Sequence, residues 1–252
     1  MSILASQGCD VTIKDGDVSV NQLHGRATQE WNRQYPLLPG GRIEVINLSG
    51  PIEVSAGPAG SIAVAAVLSA RAMTDDRAKE VLSGARIEES ATPEYIKLTT
   101  VRGTRSGGFQ VSYKVVVPAD ARIEMTANNG TIKVDGLRGH VKVMAVNGAV
   151  ELTGLRGSVD AALVSGPLFV KMAEVTARIR LESTNGRIAL EIPKDTKATL
   201  VARSVNGGIN VTGLTTQGTS GRRIQNVESV LNGGGPEIDV RVTNGRVSIE
   251  GK

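Results

Sequence analysis

Residues 127–144 read ANNGTIKVDGLRGHVKVM, and residues 145–163 read AVNGAVELTGLRGSVDAAL. The same sentence is written twice, about 18 residues apart, and a period of that length is the mark of a β-solenoid. Both copies carry Asn-Gly, at Asn129-Gly130 and Asn147-Gly148, and both carry Gly-Leu-Arg-Gly, at Gly136–Gly139 and Gly154–Gly157. Between these turn signals apolar residues alternate with polar ones. Ile132 and Val134 become Val150 and Leu152, while Val141, Val143 and Ala145 become Val159, Ala161 and Leu163. Each short strand therefore has one face to bury. A single copy encloses nothing, so the copies must stack and share a core.

The register extends outward. One inward column reads Ile132, Val150, Leu168, Ile188, Ile209, Val247, and its neighbour reads Val134, Leu152, Val170, Leu190, Val211, Ile249. A third reads Ile123, Val141, Val159, Ile179, Leu200, Ile238. Spacing along the columns lengthens from about 18 to about 21 residues. A turn column follows Asn129, Asn147, Ser165, Asn185, Asn206, Asn244, with Gly130, Gly148, Gly186, Gly207 and Gly245 behind the asparagines. Glycine suits a corner with positive φ, and stacked asparagines can hydrogen-bond from rung to rung. Asn-Gly also closes two-residue hairpins, so an antiparallel meander is the rival reading. A meander gives no reason for identities to recur in the same phase at every turn. The fold expected is an all-β parallel β-helix, or β-solenoid, with one short helix. Outward residues Glu124, Lys142, Asp160 and Arg180 alternate in sign, which favours neighbours on adjacent strands.

The 252 residues allow one elongated domain or two small ones. Aromatics make up only 2% of the chain, so a narrow interior of Val, Ile and Ala is expected. Residues 1–38 read as a leader or tether and 39–252 as the solenoid domain. A first rung starts at Gly41, with Ile43, Val45, Ile52 and Val54 in phase with Ile123, Met125, Ile132 and Val134. An excursion over 61–118 then contains strands at Ile62–Leu68, Ile96–Val101 and Phe109–Val117, with a helix over Asp75–Leu82 capped by Thr74. Residues 213–236 form a loop insertion too long for a turn; loops of that length are functional or disordered, so it is either a candidate contact surface or a disordered segment.

No apolar run is long enough to span a bilayer. The single cysteine, Cys9, follows Ala-Ser-Gln-Gly, a string of small residues like the end of a bacterial lipoprotein signal. Cys9 is thus a lipidation candidate, although Ser6 stands where that motif has Leu; the other reading is an ordinary thiol in a flexible tail. One cysteine excludes an internal disulfide.

Chemistry is sparse. His24 and His140 are the only histidines, which leaves a Ser-His-Asp triad and a zinc site poorly provided for. A sugar-cleaving groove would need clustered acids, but Asp135, Glu151 and Asp160 are dispersed. Gly233-Gly234-Gly235-Pro236-Glu237 is neither a calcium repeat nor a phosphate loop. The excess positive charge of four is spread along the chain, and although Arg138 and Arg156 stack into a small basic corner, no aromatic platform accompanies them; nucleic acid is not an expected partner. The residues imply no cofactor and no metal.

Gly-Arg-Ile-Glu-Val ahead of a Ser-Gly rung, Val-Val-Val-Pro at Val115–Pro118 and the serial Asn-Gly-x-Ile/Val rungs together resemble a family of bacterial exported proteins described as candidate adhesins with β-strand repeats. The resemblance covers roughly Pro39 to Gly251 and implies a β-helix-like fold in the cell envelope; it carries over no catalytic residue. The function expected is a non-enzymatic envelope protein, exported and periplasmic or at the surface, whose rigid β-surface meets a protein or a surface glycan. Membrane contact would come only through an N-terminal lipid anchor, and the protein would be a monomer or weak oligomer. The alternatives are a self-assembling envelope scaffold and a carbohydrate-active β-helix enzyme.

Overall fold

Alternation of buried and exposed side chains makes a strand of nearly every repeated segment, and the strands find partners along one sheet. The structure, a computed structural model, describes residues 9–14, 17–22, 24–215 and 225–252. First come β1 (Cys9–Lys14) and β2 (Asp17–Gln22), an antiparallel pair with Cys9 opposite Gln22. Next are β3 (Gly25–Pro36), β4 (Arg42–Ser49), β5 (Ile52–Gly57) and β6 (Ser61–Ala72), then α1 (Asp75–Ser83). β7 (Arg86–Ala91), β8 (Tyr95–Val101) and β9 (Gly108–Pro118) complete the excursion. The repeat supplies β10 (Arg122–Asn129), β11 (Ile132–Asp135), β12 (Val141–Asn147), β13 (Val150–Leu155), β14 (Val159–Ser165) and β15 (Leu168–Met172). It continues through β16 (Ile179–Asn185), β17 (Ile188–Ile192) and β18 (Ala198–Thr212), and ends with β19 (Asn226–Leu231) and β20 (Glu237–Gly251). Strands β3 to β20 belong to one hydrogen-bonded sheet, so the architecture is an all-β solenoid with one short helix.

Pairing within the repeat is parallel and in phase. Ile123 lies beside Val141, Val141 beside Val159, and Val159 beside Ile179; Asn129 lies beside Asn147 in the same register. No hairpin forms at these Asn-Gly corners, because each corner passes the chain on to the next strand of its own rung. Inward residues such as Val143, Met125 and Ile132 are fully buried. Each buried aliphatic side chain contributes roughly 1.5–3 kcal/mol relative to exposure, and each rung is the wall of the next.

The inward columns hold their residues, but the last two rungs exchange places. β20 pairs on one side with β16 and β17 (Ile179 with Ile238, Ile188 with Val247) and on the other with β18 (Leu200 with Ile238, Ile209 with Val247). The C-terminal strand is thus inserted between two rungs that precede it in sequence. Both orders keep every apolar residue in its column, so hydrophobic patterning does not distinguish them. The other end behaves alike: β8 and β9 run parallel to β4 and β5, placing the first rung inside the stack and the excursion outside it.

Antiparallel strands finish both ends. β6 lies between β9 and β3, β7 pairs with β8, and β19 pairs with the first half of β18. Two segments read as unstructured in sequence therefore contain strands. Residues 25–36, inside the expected tether, run the full length of β6, and 226–231, inside the expected loop, cover β18. Residues 216–224 of that loop lie outside the described residues. β3 escapes periodicity because mostly one edge, and not one face, is engaged: only Gly25 and Tyr35 along it are buried. Gly25 is needed there, since a Cβ would lie 2.0 Å from the Thr74 carbonyl carbon.

The helix forms where its cap predicts. Thr74 Oγ1 accepts from the Arg77 N–H at 3.3 Å, Asp75 and Asp76 occupy the first turn, and Ala78, Val81 and Leu82 are buried. Asp75 Oδ1 also accepts from the Arg26 N–H at 2.9 Å, tying β3 to the start of the helix.

Candidate binding surface

Outward residues decide what a solenoid presents, and here they form rows across β10, β12, β14, β16, β20 and β18. The first such row contains the predicted alternating charges. Lys142 Nζ is 2.8 Å from Glu124 Oε1, and Arg42 reaches Glu124 at 2.5 Å. Lys97 lies 3.3 Å from Glu44, which also accepts from the Tyr95 hydroxyl. Burial alone would raise the Glu44 carboxyl, but the Tyr95 and Lys97 hydrogen bonds and the Lys97 and Arg42 charges together hold it below the usual carboxylate range.

The next rows are different. Thr126, Met144 and Ala162 follow one another across adjacent strands, as do Val146, Val164 and Thr184. Met144 is 38% exposed, Val146 42%, Val164 44% and Val205 62%. They line an open groove of about 630 Å³. Its charged rim is held in place from within: Arg241 forks onto the buried Asp239 at 3.0 and 2.7 Å, Glu182 accepts from Arg180 at 2.7 Å, and Arg203 pairs with Glu228 at 3.1 Å. Sequence reading passed over this strip, although Ala161-Ala162-Leu163-Val164 departs from apolar-polar alternation.

The corner asparagines are bonded as a ladder over part of its length. Asn147 donates to Asn129 at 3.2 Å, Asn244 to Asn185 at 2.8 Å, and Asn206 to Asn244 at 2.8 Å. Ser165 separates the two stretches. The glycines behind them are in close contact: a Cβ on Gly186 would stand 1.9 Å from the Gly166 carbonyl oxygen, on Gly207 1.6 Å from that of Gly245, and on Gly245 1.6 Å from that of Gly186. Gly130, Gly148 and Gly245 also have positive φ.

Other sequence candidates are dispersed. Cys9 opens β1. His24 is exposed. His140 Nδ1 lies 2.7 Å from Ser158 Oγ, one rung away, and neither bonds to a carboxylate among the described residues. Arg138 and Arg156 are exposed on successive corners. Among the described residues no three His, Cys, Asp or Glu side chains converge as a metal site would require, and no helix is long and apolar enough to cross a membrane.

A model of the Toastrack DUF4097 family matches residues 41–250, which spans the parallel stack and its excursion. The chain belongs to the Toastrack family. This Toastrack chain is also similar in structure to a candidate cell adhesion protein of Clostridium sporogenes, at 13% identity and a TM-score of 0.49, covering 89% of this chain and 100% of that one. A candidate adhesin of Bacteroides fragilis is similar at 12% identity and a TM-score of 0.45, covering 89% of this chain and 97% of that one. No curated protein matches the sequence.

Proposed function

We propose that this Toastrack chain is a non-enzymatic binding protein of the bacterial cell envelope, built as a parallel β-helix of roughly 18–21-residue rungs that holds a macromolecule against its stiff outer surface. The observation that carries this reading is the exposed strip of Met144, Val146 and Val164, continued through Thr184 and Thr243 to Val205, which lies on strands fixed by their neighbours on both sides and is rimmed by internally paired charges. Contiguous exposed apolar surface with a polar rim marks an interaction site. A rigid sheet loses little conformational entropy when it is covered. Antiparallel strands lie over the outermost parallel strands, β7 on β8 and β19 on Ala198–Arg203 of β18, and occupy edges on which a further parallel rung would stack, which favours a discrete particle over the self-assembling scaffold.

The test is retention of labelled protein on isolated bacterial envelopes. Val146→Glu/Val164→Glu should abolish retention while leaving the thermal midpoint nearly unchanged; equal retention by the double variant overturns the assignment of the face. A steady turnover of polysaccharides, esters or phosphoesters that Ser158→Ala removes would overturn the non-enzymatic reading.

A further inference from the structure

Around the Asn-Gly corner from the apolar strip, one outward row runs Ala149, Pro167 and Arg187, each just before β13, β15 and β17, then Arg246 in β20 and Gly208 in β18, and its only charges are two adjacent arginines. The register places them side by side, because their successors Ile188 and Val247 are paired. Backbones of paired strands are about 4.8 Å apart. Both side chains are exposed, and neither forms an ion pair or hydrogen bond among the described residues. Basic residues nearby are paired, Lys133 with Glu151 at 3.1 Å and Lys252 with Glu191 at 2.7 Å. Like charges on neighbouring strands are unfavourable, so the arginine pair contributes nothing to the sheet that would explain it.

The pair lies between two hollows. One, of about 790 Å³, has Pro167, Phe169 and Ala189 as apolar wall, Ser248 as a hydroxyl, and on its far side Glu151, whose charge is met by Lys133 at 3.1 Å. The other, of about 510 Å³, passes over Gly166, Gly186 and Gly245. Two guanidinium forks suit a planar oxyanion held bidentately. Beside them is one of the two phenylalanines of the chain, and an aromatic side chain next to the Ser248 hydroxyl suits the apolar face of a sugar ring.

We infer that the Arg187–Arg246 groove is a binding site for an acidic polysaccharide, with a uronate carboxylate on the two guanidiniums and its ring against Phe169 and Pro167. The assignment rests on reading the chain as a binding protein, but it uses a different face from the apolar strip. Both hollows are open, so a polymer can continue in either direction from the anchored unit.

The test is titration of the whole protein with a labelled oligogalacturonate at physiological salt. Wild type should bind the acid and bind its methyl ester, the same ring without charge, at least about tenfold more weakly. Arg187→Ala/Arg246→Ala should lose about tenfold or more at an unchanged melting temperature. Arg187→Lys/Arg246→Lys should also weaken binding, since lysine keeps the charge but lacks the fork, and Phe169→Ala should weaken it by removing the ring contact. Val146→Glu/Val164→Glu should leave oligogalacturonate affinity intact even where envelope retention is lost. No binding by wild type, dextran sulfate binding as tightly as the uronate, an unimpaired lysine pair, or loss in the apolar-strip variant each overturns the site.

Discussion

A Cβ built on Gly148 would stand 1.8 Å from the carbonyl oxygen of Gly130, on the rung beside it. The obstacle is backbone, which cannot rotate away, and Gly148 has φ of 141°. Gly148→Ala should therefore lower stability by about 2–4 kcal/mol. Gly208 has nothing within 4 Å of the same position, and Gly208→Ala should stay within about 0.5 kcal/mol of wild type. Urea midpoints of the two variants check the contrast.

Successive residues Lys142 and Val143 point to opposite sides of one strand. Val143 is fully buried between Met125 and Ala161, so Val143→Asp places an unpaired carboxylate in the core at a cost of several kcal/mol. Lys142→Asp loses only the partly exposed pair with Glu124 and sets like charges beside Glu124 and Asp160, for about 1 kcal/mol. Equal losses in chemical denaturation would place the register wrong by one residue.

Asn47 occupies an inward column in which Ala127 is its neighbour, and it is 1% exposed. Its amide donates to the Val111 carbonyl at 2.8 Å, and its oxygen accepts from Thr100 at 3.0 Å. Asn47→Ala takes this donor from the buried Val111 carbonyl, while Thr100 keeps the Tyr113 hydroxyl at 2.8 Å, and should cost about 1–3 kcal/mol. A double-mutant cycle of Asn47→Ala with Thr100→Val, run in the Tyr113→Phe background so that no phenol loses its partner, in which Thr100→Val restores part of the loss would show that the cost comes from unsatisfied polar atoms.

Alkaline pH should reveal the buried phenols. Burial pushes Tyr113 up to about 12, with the Thr100 hydrogen bond acting in the opposite sense. Tyr35 is raised by burial and by its hydrogen bond to Glu89. A raised folded pKa stabilises fully below the unfolded value, near 10, and this contribution is lost as pH rises toward the folded one. Stability should fall between about pH 10 and 12, and Tyr113→Phe should flatten that limb; an unchanged slope in Tyr113→Phe would mean that Tyr113 does not carry it.

Acid pH acts through Glu44. Its lowered pKa means that its contribution is complete above the unfolded carboxylate value and disappears as pH falls through the depressed folded one. Glu44→Gln should therefore narrow the gap in melting temperature between neutral and acidic solution. A gap as wide as that of wild type would exclude Glu44 as a source of the acid sensitivity.

The sequence by itself determined which residues face the core, where the corners fall and where the short helix begins. These are local properties: alternation has a period of two, Asn-Gly marks a corner, and Thr74 followed by two aspartates marks a helix start. Tertiary structure alone decided the order of the rungs. β18 and β20 carry the same Asn-Gly-x-Ile/Val pattern, so either could follow β17, and only the hydrogen-bonded ladders place β20 in between. Pairing through strand edges also decided the role of residues 25–36, because a strand docked by its backbone needs no apolar period. The outward surface was the least legible part. Met144 and Val164 become neighbours of one groove, and Arg187 and Arg246 neighbours of another, only because stacking brings together residues that lie far apart along the chain. Inward positions repeat because each must fit the same core, whereas outward positions, apart from the one row of alternating charges, are free of that constraint.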